Sequence, residues 1–293
     1  MKKLFKTTWH FITFPFRVFG WILSRVSWWI RNTFQEIRTF FDEETEDAPV
    51  AEALNKVIED PSGVLFHLNA LRRHLTRSVV FLVITTAFSF LFFQQILDFL
   101  ARPLPGGAES LVAIEVTEPI GTVMRVSLLA GFAIAFPYIA LELWMFVAPG
   151  LSRRSRLFGL AAIPVALLFF LGGMAFAYFV MLPTALPFML NFMGIQTIPR
   201  PSSYVKFATS LLFWIGIAFE FPLVIYILAK VGLVKANQLS EQWRLAIVII
   251  ALISALITPT VDPVNMGLVM LPLVGLYFLS ILLARLAQRS QVV

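Results

Sequence analysis

One long apolar stretch, from Val205 to Leu228, contains a single carboxylate. The stretch is long enough to cross a bilayer as a helix, which takes about 20 apolar residues. Its carboxylate, Glu220, lies well inside the run, and Pro222 follows two positions later, where a missing backbone donor predicts a bend. A charge in hydrocarbon is unfavourable, so such a residue usually faces a protein interior or a wet cavity. Glu220 is therefore a candidate functional residue. The alternative is a protonated acid that only packs against a neighbouring helix.

The rest of the chain repeats this apolar character. Hydrophobic residues make up 59% of it and charged residues 14%, which is far from the composition of a soluble domain. We predict an all-α polytopic membrane protein with six transmembrane helices, the last two short. The predicted spans are Ser78–Phe93, Ile120–Val147, Leu157–Met181, Val205–Leu228, Leu245–Ile257 and Gly267–Ala284. Prolines and glycines predict an external loop at Ala101–Pro119, and prolines with few charges predict another loop at Leu182–Ser203. The fifth span would be about 20 Å long against a hydrocarbon core of about 30 Å, so it should thin the bilayer or seek partner helices.

Lys and Arg residues favour one side of this six-span arrangement. That side has Arg72, Arg73, Arg77, Arg153, Arg154, Arg156, Lys230, Lys235, Arg244, Arg285 and Arg289, and the other has Arg102, Arg200 and Lys206. Because positive residues accumulate in cytoplasmic loops, both termini are predicted to be cytoplasmic.

The chain before the first span divides into two segments. Residues 1–41 are basic and aromatic with helical spacing of apolar residues, and Arg17 and Arg25 interrupt the apolar core that a signal peptide requires. We predict an amphipathic helix in the membrane interface, with a partner-binding helix as the alternative. Residues 42–66 are predicted to be an acidic linker, either solvated or docked on basic cytoplasmic loops. The membrane domain is placed at residues 67–288 and a tail at 289–293.

Several classes of chemistry find no support in the sequence. There is no cysteine, and the three histidines, His10, His67 and His74, are too scattered for a metal site. Neither a Gly-rich phosphate loop nor a nucleophile elbow occurs. No basic aromatic module stands apart from the spans, so nucleic-acid binding is not expected. We predict that the protein is not an enzyme and binds no cofactor.

Five short motifs occur in order between residues 66 and 288, and together they resemble the TatC family. This family comprises the receptor subunits of the twin-arginine protein translocase. The motifs are His67-Leu with Leu71-Arg72, Val116-Thr-Glu118-Pro119, Trp144-Met-Phe146-Val-Ala-Pro149-Gly150-Leu151, Ala218-Phe-Glu220-Phe-Pro222, and Thr258-Pro259-Thr-Val-Asp262-Pro263 with Leu271-Pro272-Leu273.

The resemblance implies a cup-shaped protein of a bacterial-type cytoplasmic (inner) membrane. Such a protein binds twin-arginine signal peptides and assembles with TatA-like and TatB-like single-span proteins into an oligomeric complex. Folded cargo then crosses the membrane using the proton-motive force. The residues that the resemblance implies for the signal-peptide site and groove are Arg72, Phe146 and Glu220, and His67 and Glu142 are further candidates for this site. Those implied for partner-helix docking are Thr258, Asp262 and Asn265, and those of the external loop are Glu118 and Pro119.

Three positions depart from the family pattern. Ala70 and Ser155 stand where the family usually has Glu, and Phe278 where a Glu is common. A guanidinium is best held by a bidentate carboxylate, so another group should supply the missing charge. Glu142 and the acidic segment Asp42–Asp47 are the candidates. Alternatively, the apolar part of a signal is read through the Glu220 groove, or a divergent paralogue provides a scaffold without receiving signals.

Two other function classes stay open on the sequence alone. One is a small-solute or proton-coupled transporter with Glu220 as its ion site, because intramembrane acids in broken helices are typical of transporters. The other is a structural membrane anchor that uses the amphipathic N-terminus.

Overall fold

The described part of the chain is helical. The computed structural model describes residues 61–148, 153–191, 197–230, 232–258 and 263–289, with no strand among them. Outside it lie the predicted amphipathic helix at 1–41, the linker up to residue 60, Asp262, the tail from 290, and the side chains of residues 61–67, 153–158 and 289. The helices are α1 (Pro61–Phe90), α2 (Phe93–Ala101), α3 (Glu118–Val147), α4 (Arg153–Phe176), α5 (Leu182–Leu190), α6 (Pro201–Lys230), α7 (Ala236–Glu241), α8 (Trp243–Ile257) and α9 (Pro263–Arg289).

These helices fit a polytopic membrane protein. Four segments are long and apolar enough to span a membrane: α3, residues 159–190, α6 and α9. The bent pair α1–α2 would be a fifth span, and α8 is a shorter apolar helix of 15 residues. The all-α prediction is confirmed.

The first span differs from the prediction at both ends. Helix α1 is already helical at Pro61, the first described residue, which lies inside the predicted linker. It ends at Phe90, and the chain turns by 79° into α2. Two hydroxyls hold α2 in this direction: Tyr178 donates to the Phe99 carbonyl and Tyr204 to the Leu100 carbonyl, both at 2.6 Å.

The third span is longer than predicted. A loop was expected from Leu182 because of its prolines, but the helix continues through a π-helical turn at Ala177–Met181 into α5. The loop prediction is wrong for residues 182–190, because Pro183 lies in the first turn of α5, where a missing backbone donor does little harm. Burial of Met181, Leu182 and Leu186 then stabilises the continued helix.

The last span is also longer than the predicted Gly267–Ala284. Helix α9 has 27 residues, so of the two terminal helices only α8 is short. The helix starts at Pro263, again a favourable first-turn position, and it continues through Pro272. Its packing along α6 and α8 supports this length.

Helix α6 is central to the packing. It contacts α3 and α4 on one side and α9 on the other, α1 packs on the outside of α3, and α8 packs mainly on α9. Helices α1 and α3 pack closely at a glycine: a Cβ added at Gly131 of α3 would lie 2.6 Å from Thr86 Cα of α1. The bundle therefore has a tight α1–α3 crossing at one side and a loosely joined α8 at the other.

Candidate functional site

A largely apolar cavity opens between α6, α8 and α9. It has a volume of 620 Å³ and exists because α8 lies against α9 while barely contacting α6. Exposed side chains of both walls line it, including Trp214, Phe221 and Val224 of α6 and Ile249 and Ile253 of α8. The cavity is therefore a groove whose rim is available to lipid or to another apolar helix.

Glu220 is the one carboxylate among the residues that line this groove. Its side chain is half-buried, and the backbone of Phe170 on α4 lies beside the carboxyl group. The buried Oε1 atom has no hydrogen-bond partner within the described residues. Tyr277 also lines the groove, but its hydroxyl donates to the Leu239 carbonyl at 2.5 Å. Because Oε1 is buried and Phe170 of α4 lies beside the carboxyl group, a donor from a polypeptide in the groove would reach this acceptor only if the Glu220 side chain turned toward the groove.

A second acidic site joins α1 to α3 near the end of α3. The Glu142 side chain is 1% exposed, and its Oε2 atom accepts from His74 Nδ1 at 2.6 Å. The Tyr138 hydroxyl, one turn earlier on α3, donates to Oε1. The edge of the Phe146 ring faces the His74 ring, with centroids 6.3 Å apart. These four side chains are called the Glu142 cluster below.

The predicted signal-peptide residues lie around this cluster. Arg72 is exposed on the turn of α1 before His74, and Phe146 is half-buried one turn after Glu142. The side chain of His67 lies outside the described residues. On the other face of α3, the Trp144 ring packs so closely on α4 that a Cβ at Gly159 would lie 1.7 Å from it. The same end of α3 is therefore fixed to α1 and to α4.

At the opposite end of α3, Glu118 is buried and paired with Arg200, which precedes α6. Arg200 Nε donates to Glu118 Oε1 at 2.8 Å, and its Nη2 donates to Glu115 at 3.1 Å. These hydrogen bonds to Glu118 and Glu115 raise the pKa of Arg200, so the guanidinium stays charged. Pro119 follows in the first turn of α3. The group ties two predicted external loops together.

The predicted docking residues lie at the α8–α9 connection. Thr258 is buried and donates to the Ser254 carbonyl at 3.0 Å, and Asn265 is buried in the first turns of α9. Asp262 lies outside the described residues. Phe278, on α9, is half-exposed. Within the described ranges, no group of three or more His, Cys, Asp or Glu residues could hold a metal ion.

Sequence reasoning did not anticipate the roles of His74 and Tyr138. His74 was considered only as a metal ligand, and it lies 68 positions from Glu142. Tyr138 had a detectable signal, since it precedes Glu142 by four residues and therefore lies on the same helical face.

Comparison with known proteins identifies the family. The family model described as Sec-independent protein translocase protein (TatC) matches residues 66–272. A TatC protein of Deinococcus radiodurans is 35% identical over 76% of this chain and 86% of its own length. One of Campylobacter jejuni is 36% identical over 75% of this chain and 92% of its own. The chain belongs to the TatC family.

A solved structure extends the likeness to three dimensions. The crystal structure of the twin arginine translocase receptor TatC superposes with a TM-score of 0.68 and 33% identity, covering 75% of this chain and 99% of that one. The family is one of translocase components rather than enzymes, and its members are multi-pass proteins of the inner membrane that work with other subunits. Residues 1–65 lie outside the family match.

Proposed function

We propose that this TatC-family chain is the receptor subunit of a twin-arginine translocase. It binds the twin-arginine signal peptides of folded cargo and holds TatA-like and TatB-like single-span subunits for export driven by the proton-motive force. The observation that carries the proposal is the likeness to the twin arginine translocase receptor along nearly all of that receptor's length. Conservation of the whole helical scaffold at 33% identity supports a shared role.

In the proposed orientation, both termini are cytoplasmic. Helix α6 runs from Arg200 and Glu118 at one end to Lys230 at the other, and α9 ends beside Lys230 with Arg285. Lys230 and Arg285 therefore lie at the same end of the helix bundle as the Glu142 cluster. This distribution supports a cytoplasmic location for the cluster and an external one for the Glu118–Arg200 pair.

The signal peptide is proposed to contact two regions. Its charged part lies near exposed Arg72 and half-buried Phe146, and its apolar part lies in the groove, where Glu220 Oε1 accepts a hydrogen bond. Buried apolar surface would provide most of the affinity in the groove, and the buried acceptor would favour a segment with a suitably placed donor.

Partner helices are proposed to pack on α8 and α9. The outer face of α8 exposes Leu245, Val248, Leu252 and Leu256, and the helix is about 22 Å long. Thr258, Asp262 and Asn265 are then placed at the external end of this interface. A single-span helix laid along α8 would cover an apolar face that the described chain leaves exposed.

Crosslinking tests the proposal. A twin-arginine signal peptide with a photoreactive side chain in its apolar part is added to the purified full-length protein. We expect crosslinks to groove residues on α6 and α8, lost when both arginines of the peptide are replaced by glutamine. Equal crosslinking of the two peptides, or none, would contradict the receptor function.

A further inference from the structure

The Glu142 cluster has no free capacity for a signal arginine. Both carboxylate oxygens already accept hydrogen bonds, one from His74 and one from Tyr138, and the side chain is 1% exposed. A guanidinium reaching this carboxylate would have to displace the imidazole and open the α1–α3 contact. Direct binding of a signal by Glu142, the expectation from the sequence, therefore does not fit the arrangement.

The position of the cluster indicates a different role. Helices α1 and α3 approach most closely at Thr86 and Gly131, where their backbones are almost in contact. From that crossing to His74 is 12 residues of α1, or about 18 Å, and from Gly131 to Glu142 about 16 Å of α3. The cluster therefore joins two long arms at their far ends, with the Phe81–Tyr138 ring contact between.

Arms of this length amplify small angular changes. A change of about 10° in the angle between α1 and α3 would move His74 by about 3 Å relative to Glu142. Arg72 lies on the turn beside His74, and Phe146 lies one turn beyond Glu142. The hydrogen bond between His74 and Glu142, together with the ring contacts His74–Phe146 and Phe81–Tyr138, thus helps to set the distance between these two proposed signal-contacting residues.

We infer that Glu142 is a positioning residue for signal recognition: through His74 it fixes the α1 turn bearing Arg72 against the α3 turn bearing Phe146. This inference rests on the proposed receptor function. Packing of Trp144 on Gly159 holds the same end of α3 to α4. The cluster therefore fixes α1 relative to both α3 and α4. Hydrogen bonds from two donors to a buried acid fix the relative orientation of the two helices, which apolar contacts alone do not.

The test measures affinity and stability on the same set of variants. The full-length protein in lipid nanodiscs is titrated with a fluorescent twin-arginine signal peptide, and its thermal unfolding is recorded. We expect Glu142→Leu and His74→Leu each to weaken binding by about tenfold, the effect of losing a charge-assisted hydrogen bond. His74→Arg, which keeps a nitrogen donor for the Glu142 carboxylate, should bind within about twofold of the original protein. Ser78→Ala is the matched control, because that hydroxyl donates only to its own helix at His74 O, 3.0 Å away.

The double variant His74→Leu with Glu142→Leu separates positioning from stability. Replacing both partners by apolar groups should restore much of the thermal stability, since the carboxylate and the imidazole are removed together and only the Tyr138 hydroxyl loses an acceptor. Affinity for the signal peptide should stay low, because the hydrogen bond that orients α1 relative to α3 is absent. Recovery of affinity together with stability, or unchanged affinity in Glu142→Leu, would overturn the inference while leaving the receptor function in place. No binding by the unmodified protein would overturn both.

Discussion

Glu142 and Glu220 are both acids within membrane helices, yet their surroundings are opposite. Glu142 is enclosed between two helices, and each of its oxygens has a donor. Glu220 lines an open apolar groove, and its buried Oε1 has no partner among the described residues. The first acid completes an internal contact, and the second leaves a hydrogen bond to be made. In this chain, the acid with both oxygens paired holds two helices together, and the acid with an oxygen unpaired within the described ranges is the one proposed to bind a partner.

The largest effect is expected on export. Glu220→Ala removes the vacant acceptor and should lower export of a twin-arginine reporter by about tenfold or more, the usual weight of a charge-assisted hydrogen bond. Export assays in cells, with membrane levels checked by immunoblot, measure this. Glu220→Gln is the matched control and should be milder, because an amide oxygen still accepts. Normal export by Glu220→Ala would remove this side chain from the mechanism.

Stability should respond in the reverse order. Glu142→Ala leaves His74 without its partner and should lower the free energy of unfolding by about 3 kcal/mol, as for other broken buried pairs. Glu220→Leu should leave it unchanged or higher, since an unsatisfied acceptor is removed. Thermal unfolding in detergent compares the two variants. A larger loss for Glu220→Leu than for Glu142→Ala would invert the contrast between the acids.

Packing beneath the Glu142 cluster gives a smaller effect. Gly159→Ala inserts a methyl group into the Trp144 ring and should cost about 1–3 kcal/mol of stability, the range for overpacking. Gly172→Ala on the same helix is the control, because nothing lies within 4 Å of its added Cβ, and it should be neutral or stabilising. Equal unfolding temperatures for the two variants would show that α3 is not held at this point.

Supplying free acids should strengthen recognition modestly. Ala70→Glu with Ser155→Glu should tighten binding of a twin-arginine peptide by about two- to fivefold, the range expected for exposed ion pairs worth up to about 1 kcal/mol. Fluorescence titration measures the change, and glutamine at both positions is the control. No gain over the glutamine variant would indicate that the signal arginines do not approach these positions.

The Glu118–Arg200 pair should give the smallest effect. Arg200→Gln breaks the contacts to Glu118 and Glu115 and should speed amide hydrogen exchange in residues 111–117, with signal affinity unchanged. Lys206→Gln, which alters an exposed cation of α6, is the control. Unaltered exchange in Arg200→Gln would mean that other contacts hold this loop.

The sequence was sufficient for the membrane segments because their signal is local. Hydropathy located all six, and the motif around Glu220 pointed to the residue that lines the groove. It failed where distant contacts decide the outcome. Pro183 and Pro187 suggested a loop, while burial of their neighbours keeps the chain helical. The bend after Phe90 depends on hydroxyls of Tyr178 and Tyr204, about 80 and 100 residues away.

The candidate site shows the same limit. The sequence does not show whether the Glu142 carboxylate already accepts hydrogen bonds, because its partner His74 is on another helix. Glu220 could be proposed as functional from its place in an apolar run, but the groove that it lines is visible only once α8 is seen to stand away from α6.

The sharp turn between α1 and α2 has a consequence for the route of cargo. Helix α2 accepts hydrogen bonds from Tyr178, which lies just before α5, and from Tyr204 of α6. These contacts hold α2 at 79° to α1. A signal peptide at the proposed groove site would lie between α6 and α8, where the rim of the groove is available to lipid. Cargo would therefore leave along the flank of the subunit, and the walls of any conduit would have to come from neighbouring chains.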